Sequence, residues 1–218
     1  RNINGLENAV RFTEKSRALG LGQCGFHTYL QENMIPYEGF QAHMKSNEIA
    51  SHIHDESLRA SQWMATALGE PEWCSGYGVR NTHRTAIAPT KSTALLMGGV
   101  SEGINPDPAM SFTQLSATGE IDRVNPALLK LMKKKGVNNR KNIKEVKDAM
   151  GSVQNVTWLT DEEKEVFKTA FEISQTAHIR MASTRARWLC QWQSLNLFFS
   201  AEEDPEWIAH VNRSLIQI

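Results

Sequence analysis

The residues best suited to chemistry stand together at Pro89-Thr90-Lys91-Ser92-Thr93. Three hydroxyl side chains and one ammonium group lie just ahead of Ala94-Leu95-Leu96-Met97, an apolar run that reads as a helix. A helix start carries unpaired N–H groups and the positive end of the dipole, so donors and a cation placed there suit a phosphate-like anion. The stretch has none of the glycines of a Walker loop and is not an NTP-binding P-loop by pattern. The competing reading is a plain capped helix, with Thr90 or Ser92 at the N-cap and Pro89 setting the entry.

Other reactive types carry less. His52, His54, Asp55 and Glu56 invite a metal reading, but two ligands on one helical face need spacings of three or four, and the histidines are two apart. No metal ligand is assigned. The three cysteines, Cys24, Cys74 and Cys190, form no C-x-x-C pair and are odd in number, which fits buried thiols in a reducing, cytoplasmic setting. Lys130, Lys133, Lys134, Lys135, Lys141, Lys144 and Lys147 cluster without the stacking aromatics of a nucleic-acid site and read as a solvated surface. Glu102 and Asn105, in a loop broken by two prolines, are candidate recognition groups beside the anion stretch.

The elements that must position these residues follow from pattern. A first helix puts Ile3, Leu6 and Val10 on one face, and Arg17 to Gly22 is a short buried strand punctuated by glycine. Helices are expected from Phe26 to Ile35 and from about Tyr37 to Leu68, the second with Phe40, Met44, Ile49, Ile53, Leu58 and Met64 at helical spacing. A strand at Arg84 to Ala88 leads into the anion stretch. Short helices occupy Pro126 to Met150. Thr160 and Glu163 form a capping box opening a helix expected to reach about Trp188, with Val166, Phe167, Ala170, Ile173 and Ala177 on one stripe. Ser194 to Phe199 reads as a core strand and Pro205 to Ile218 as a last helix. Helical crossovers between short apolar strands imply parallel pairing in an α/β barrel or open sheet, whose ligands sit at the strands' carboxyl ends.

Composition adds limits. Lys plus Arg and Asp plus Glu both total 24, so the overall balance favours neither nucleic acid nor an acidic membrane. No apolar run reaches membrane-spanning length, and 40% hydrophobic content with six tryptophans indicates a folded chain. Both ends run straight out of expected helices, so residues 1–218 are expected to be one segment of something larger.

Three blocks carry a family resemblance: Arg17-Ala18-Leu19-Gly20-Leu21-Gly22; Ala86-Ile87-Ala88-Pro89-Thr90-Lys91-Ser92-Thr93 with Gly103-Ile104-Asn105-Pro106; and Gln193-Ser194-Leu195-Asn196-Leu197. In order and spacing the chain resembles the large subunit of class I ribonucleotide reductase. The resemblance implies a ten-stranded α/β barrel, of which this helix-rich segment is roughly the latter half and incomplete without a partner fragment. In that family a cysteinyl radical on a finger loop removes hydrogen from the ribose of a ribonucleoside diphosphate, and the segment matching Pro89 to Thr93 holds the diphosphate. The finger loop has no counterpart here, and none of the three cysteines stands in the context of the radical cysteine or the redox pair. No catalytic residue is therefore assigned. The N-terminal allosteric module and the redox C-terminal tail are also expected to lie outside this segment.

Implied partners are complementary large-subunit fragments carrying the radical cysteine, a radical-generating small subunit with its own radical cofactor, and thioredoxin or glutaredoxin acting indirectly. Alternatives are a non-catalytic phosphate-binding or assembly module left from such a barrel, and a segment of a glycyl- or cobalamin-dependent reductase.

Overall fold

A computed structural model describes residues 4–116 and 119–216. Ile3 of the expected first helix and residues 217 and 218 of the last lie outside the described residues.

The helices set the frame. They are α1 (Glu7–Ser16), α2 (Phe26–Glu32), α3 (Phe40–Leu68), α4 (Lys91–Leu96), α5 (Pro126–Lys135), α6 (Arg140–Asp148), α7 (Asp161–Val166), α8 (Gln175–Ala186) and α9 (Pro205–Ile216). Among the described residues, one antiparallel hairpin joins β1 (Ser111–Ser116) to β2 (Gly119–Val124), with Ser111 opposite Val124 and Ser116 opposite Gly119.

Helix α3 runs unbroken for 29 residues and packs on α8. Its inward face matches the expected apolar stripe only in part: Ile49, Ile53, Leu58 and Met64 are half-buried, Ile49 against a core, but the fully buried positions are other residues. Ala42, Ser46, Ala50, Ser61 and Ala65 are buried, whereas Phe40 is 80% exposed and Met44 51%. The small residues recur mostly at four-residue steps, which line up on one helical face and let a neighbouring helix approach closely.

The expected strands appear as short parallel contacts rather than long ladders. Leu21 pairs with Thr85, and Ile87 pairs with Gln193, so the segment around 83–88 lies between the other two. Leu21 N–H donates to the Arg84 carbonyl, Ala86 N–H to that of Leu21, and Ser194 N–H to that of Ile87, at 2.9, 3.0 and 2.9 Å. Gly22 permits this approach, since a Cβ there would stand 2.3 Å from the Ala86 oxygen. The third segment pairs at Gln193, not along 194–199, because its later N–H groups turn to side chains. Asn196 donates to Asn105 Oδ1 at 3.0 Å and Phe198 to Gln175 Oε1 at 2.9 Å.

The helix expected from Thr160 to Trp188 is two helices. The capping box forms as read, with Thr160 N–H donating to Glu163 Oε2 and Glu163 N–H to Thr160 Oγ1. The chain then leaves the helix at Phe167, and side chains take over the backbone partners. Glu172 Oε2 accepts from both the N–H and the hydroxyl of Thr169, and Gln175 Nε2 donates to the carbonyls of Ala170 and Ile173. Such local bonds compete with the helical ladder. The break has a packing reason as well. Val166 and Phe167 enter a core with Met110, Leu128, Met132, Val146 and Val156, while Ile173 enters a second core with Phe26, Leu30, Tyr37 and Met181.

Several lysines of α5 and α6 engage acids: Lys135 with Glu163, Lys144 with Asp148 at 2.6 Å, and Lys147 with Asp122 at 2.7 Å. His54 donates from Nδ1 to the Trp188 carbonyl at 3.0 Å and so ties α3 to the end of α8.

Candidate functional site

The site is built where the central parallel segment ends. After Ile87, Pro89 is exposed and the chain turns through Thr90, whose φ of 59° lies in the left-handed region, to start α4 at Lys91. A left-handed conformation costs an L-residue about 1–2 kcal/mol, and a β-branched side chain is rarely found there. Two hydrogen bonds offset the cost. Thr90 Oγ1 accepts from Gly103 N–H at 2.9 Å and donates to Cys24 Sγ at 3.4 Å. Thr90 thus stands at the N-cap as expected, yet its side chain does not cap α4.

Lys91, Ser92 and Thr93 form the first turn of α4 and are exposed. Their side chains have no protein hydrogen-bond or ionic partner among the described residues. Ala94 points inward and is 2% exposed, while Leu96 is 89% exposed. The five expected residues are therefore contiguous on one turn, with the Thr90 hydroxyl committed to the fold and the next three side chains open.

The loop after α4 packs back on this turn. Gly103 has a φ of +55°, and a Cβ there would lie 3.0 Å from the Ala88 oxygen, so glycine is needed for the approach. Asn105 is 2% exposed and serves the fold, its Oδ1 accepting from Asn196 N–H. Glu102 is half-buried and helps line a cleft of about 540 Å³ behind α4, together with Lys91, Asp107, Phe112 and Asn196.

Sequence reasoning did not single out Asp107 or His27. Asp107 N–H donates to His27 Nδ1 at 2.9 Å, and its carboxylate accepts from Asn125 Nδ2 at 2.8 Å. Burial pushes the Asp107 carboxyl up to about 7; the Asn125 hydrogen bond opposes this and nearby Glu102 adds to it. His27 is completely buried, and burial, helped by His178, lowers it to about 3, so it is a neutral acceptor. Neither residue bears a pattern in sequence, because each is defined by contacts across distant segments.

The cysteines divide. Cys74 is 2% exposed, as expected of a buried thiol, but Cys24 and Cys190 are half-buried, and all three are free. Burial alone would raise Cys190. Hydrogen bonds from Thr85 and Arg84 outweigh it and bring the thiol to about 7.

Residues 2–75 and 71–214 match the model of the ribonucleotide reductase barrel domain. The chain is 36% identical over 205 residues to the putative ribonucleoside-diphosphate reductase large subunit of Frog virus 3 (isolate Goorha), covering 94% of this chain and 36% of that protein. It is 32% identical over 210 residues to the ribonucleoside-diphosphate reductase large subunit of Invertebrate iridescent virus 3, covering 95% of this chain and 33% of that protein. Among solved structures, the Actinobacillus ureae class Id ribonucleotide reductase alpha subunit superimposes with a TM-score of 0.90 at 37% identity, over 100% of this chain and 40% of that one. The chain thus spans 36% and 33% of the two viral relatives. The family match and the full-length superposition lead to one conclusion: the chain belongs to the ribonucleotide reductase large-subunit family and lies within its barrel domain.

Proposed function

We propose that this chain contributes the substrate-diphosphate loop to the reduction of ribonucleoside diphosphates, with Pro89, Thr90, Lys91, Ser92 and Thr93 wrapped around the phosphates. The observation that carries this reading is the open first turn of α4, whose Lys91, Ser92 and Thr93 side chains lie exposed at the carboxyl end of the central parallel segment. Ligands of α/β barrels and open sheets collect at that end. The turn's N–H groups and the hydroxyls of Ser92 and Thr93 donate to phosphate oxygens, and Lys91 adds charge.

The role is binding and orientation. Fixing the diphosphate holds the ribose at a set distance from the reacting groups, which converts an encounter into an effectively intramolecular step. Hydrogen abstraction and the reducing equivalents come from cysteines on complementary large-subunit segments, so the chain alone turns over no substrate. A radical-generating small subunit supplies the radical cofactor, and thioredoxin or glutaredoxin returns electrons indirectly. The outer parallel segments support the need for such segments, since Leu19, Leu21 and Trp192 are 52%, 53% and 94% exposed there. In a ten-stranded barrel these surfaces would meet further strands, which also removes bare edges.

The test is co-expression with the complementary large-subunit segments and the small subunit, followed by reductase assays in the cytoplasmic fraction. Assembled enzyme should be active, and Ser92→Ala and Thr93→Ala should each raise KM for a ribonucleoside diphosphate. Each lost hydrogen bond to a charged group is worth about 1.5–3 kcal/mol. An unchanged KM in both variants refutes the phosphate role. A mixture that neither assembles nor reduces substrate refutes the fragment role.

A further inference from the structure

We infer that Thr90 is a positioning residue: its hydroxyl pins the phosphate turn to Cys24 and Gly103 and does not itself bind phosphate. The inference rests on the diphosphate-loop reading above and assigns the residues of that loop different tasks.

A threonine hydroxyl has one hydrogen to donate and two lone pairs. The hydrogen points to Cys24 Sγ at 3.4 Å, and one lone pair receives Gly103 N–H at 2.9 Å. What remains is an acceptor, and an acceptor faces a phosphate oxygen unfavourably. A direct phosphate contact from this hydroxyl would require giving up the Cys24 bond.

The two partners are fixed by other bonds. Cys24 Sγ donates onward to the Ser101 carbonyl at 3.8 Å. The loop that carries Ser101 and Gly103 is clipped to the start of α2. Gly25 N–H donates to the Ser101 carbonyl at 2.9 Å and Phe26 N–H to that of Gly103 at 3.2 Å. Ser101 N–H donates to Thr28 Oγ1 at 2.8 Å, and Thr28 N–H returns to Ser101 Oγ at 3.1 Å. Thr90 therefore joins the turn to a frame made of the first strand end, the loop and α2. Its left-handed φ of 59° directs the chain into α4, leaving Lys91, Ser92 and Thr93 outward. Strain of this kind persists only where the surroundings over-determine it.

The experiment is amide NMR on the isotope-labelled 218-residue chain assembled with its complementary large-subunit segments and titrated with inorganic pyrophosphate. In the wild type, pyrophosphate should shift the amides of Lys91, Ser92 and Thr93. Thr90→Val, which keeps shape but removes the hydroxyl, should abolish exchange protection of the Gly103 amide before any ligand is added and weaken pyrophosphate binding about tenfold. Thr90→Ser should restore both. Cys24→Ala frees the hydroxyl hydrogen and keeps Thr90 folded, so it discriminates even where Thr90→Val does not fold. Positioning predicts weaker binding in Cys24→Ala, and a direct phosphate contact predicts tighter binding.

Wild-type affinity in Thr90→Val, unchanged Gly103 protection in Thr90→Val, or unchanged or tighter binding in Cys24→Ala each overturns the positioning role alone. A wild type whose Lys91 to Thr93 amides do not respond to pyrophosphate overturns the diphosphate-loop reading and the role of Thr90 with it.

Discussion

Replacing Asp107 by asparagine should stabilise the protein at alkaline pH and leave it unchanged in acid. The carboxyl sits in the cleft wall with its side chain 16% exposed, and burial raises it from 3.8 to about 7. Below the lower value it is protonated in both folded and unfolded chains and contributes nothing. As pH rises, the unfolded chain releases the proton first, so the folded state loses stability until the folded group also ionises near 7. At about 1.4 kcal/mol per tenfold change in proton affinity the whole shift is worth about 4 kcal/mol, and residual solvent screening lowers this to ~2 kcal/mol. Asparagine keeps an oxygen for the Asn125 amide and removes the ionisation. His27 and His178, both lowered to about 3 by burial, destabilise wild type and variant alike on acidification and cancel in the comparison. Urea unfolding at pH 4 and pH 8 measures the difference between the two proteins. An advantage of Asp107→Asn that is the same at both pH values, or larger at pH 4, would falsify the account of this buried carboxyl.

Two further expectations concern other parts of the molecule. Gly22→Ala places a methyl group against the Ala86 oxygen at 2.3 Å, and urea unfolding should show a loss of about 1–3 kcal/mol from the forced backbone shift; a neutral substitution would refute the close approach of the first two parallel segments. Iodoacetamide should alkylate Cys190 with a half-maximal rate near pH 7 and Cys74 only at pH values above the ordinary thiol range, because hydrogen bonds from Thr85 and Arg84 lower the first and burial raises the second. Arg84→Met should move the Cys190 profile upward, and an unmoved profile would count against the guanidinium's part.

Much of the frame was legible in sequence, for identifiable reasons. Leu21, Thr85, Ile87 and Gln193 lie in or beside short apolar runs, which can be read as parallel strands before any contact is known, but burial was legible only for the middle one: Thr85 and Ile87 are buried, whereas Leu19 and Leu21 of the expected buried strand are 52% and 53% exposed. The Thr160 capping box is a local signal and formed as read. The break after Phe167 was not legible, since the stripe Val166, Phe167, Ala170 and Ile173 keeps helical spacing while its members divide between two cores. The face of α3 is legible only in part for a related reason: hydrophobic spacing includes Phe40 and Met44, which are exposed, along with half-buried Ile49, while close packing on α8 favours Ala42, Ser46 and Ala50. The β1–β2 hairpin is not legible, because Ser111-Phe112-Thr113 gives weak alternation. At the candidate site, hydroxyls and a lysine ahead of an apolar run located the turn. The bonds from Thr90 to Cys24 and Gly103 link positions far apart in the chain and leave no local trace.

The division into two cores has a consequence for how the molecule acquires its structure. The core of Met110, Leu128, Met132, Val146, Val156 and Phe167 comes from one continuous stretch, so its contacts close short loops at modest entropic cost. The parallel pairs Leu21 with Thr85 and Ile87 with Gln193 close far longer ones. Low contact order favours early formation, which makes the α5 to α7 unit the natural nucleus and the strand triplet a late event. The turn that opens α4, proposed above to hold phosphate, hangs on that triplet, so it is expected to form late and to open early on local unfolding.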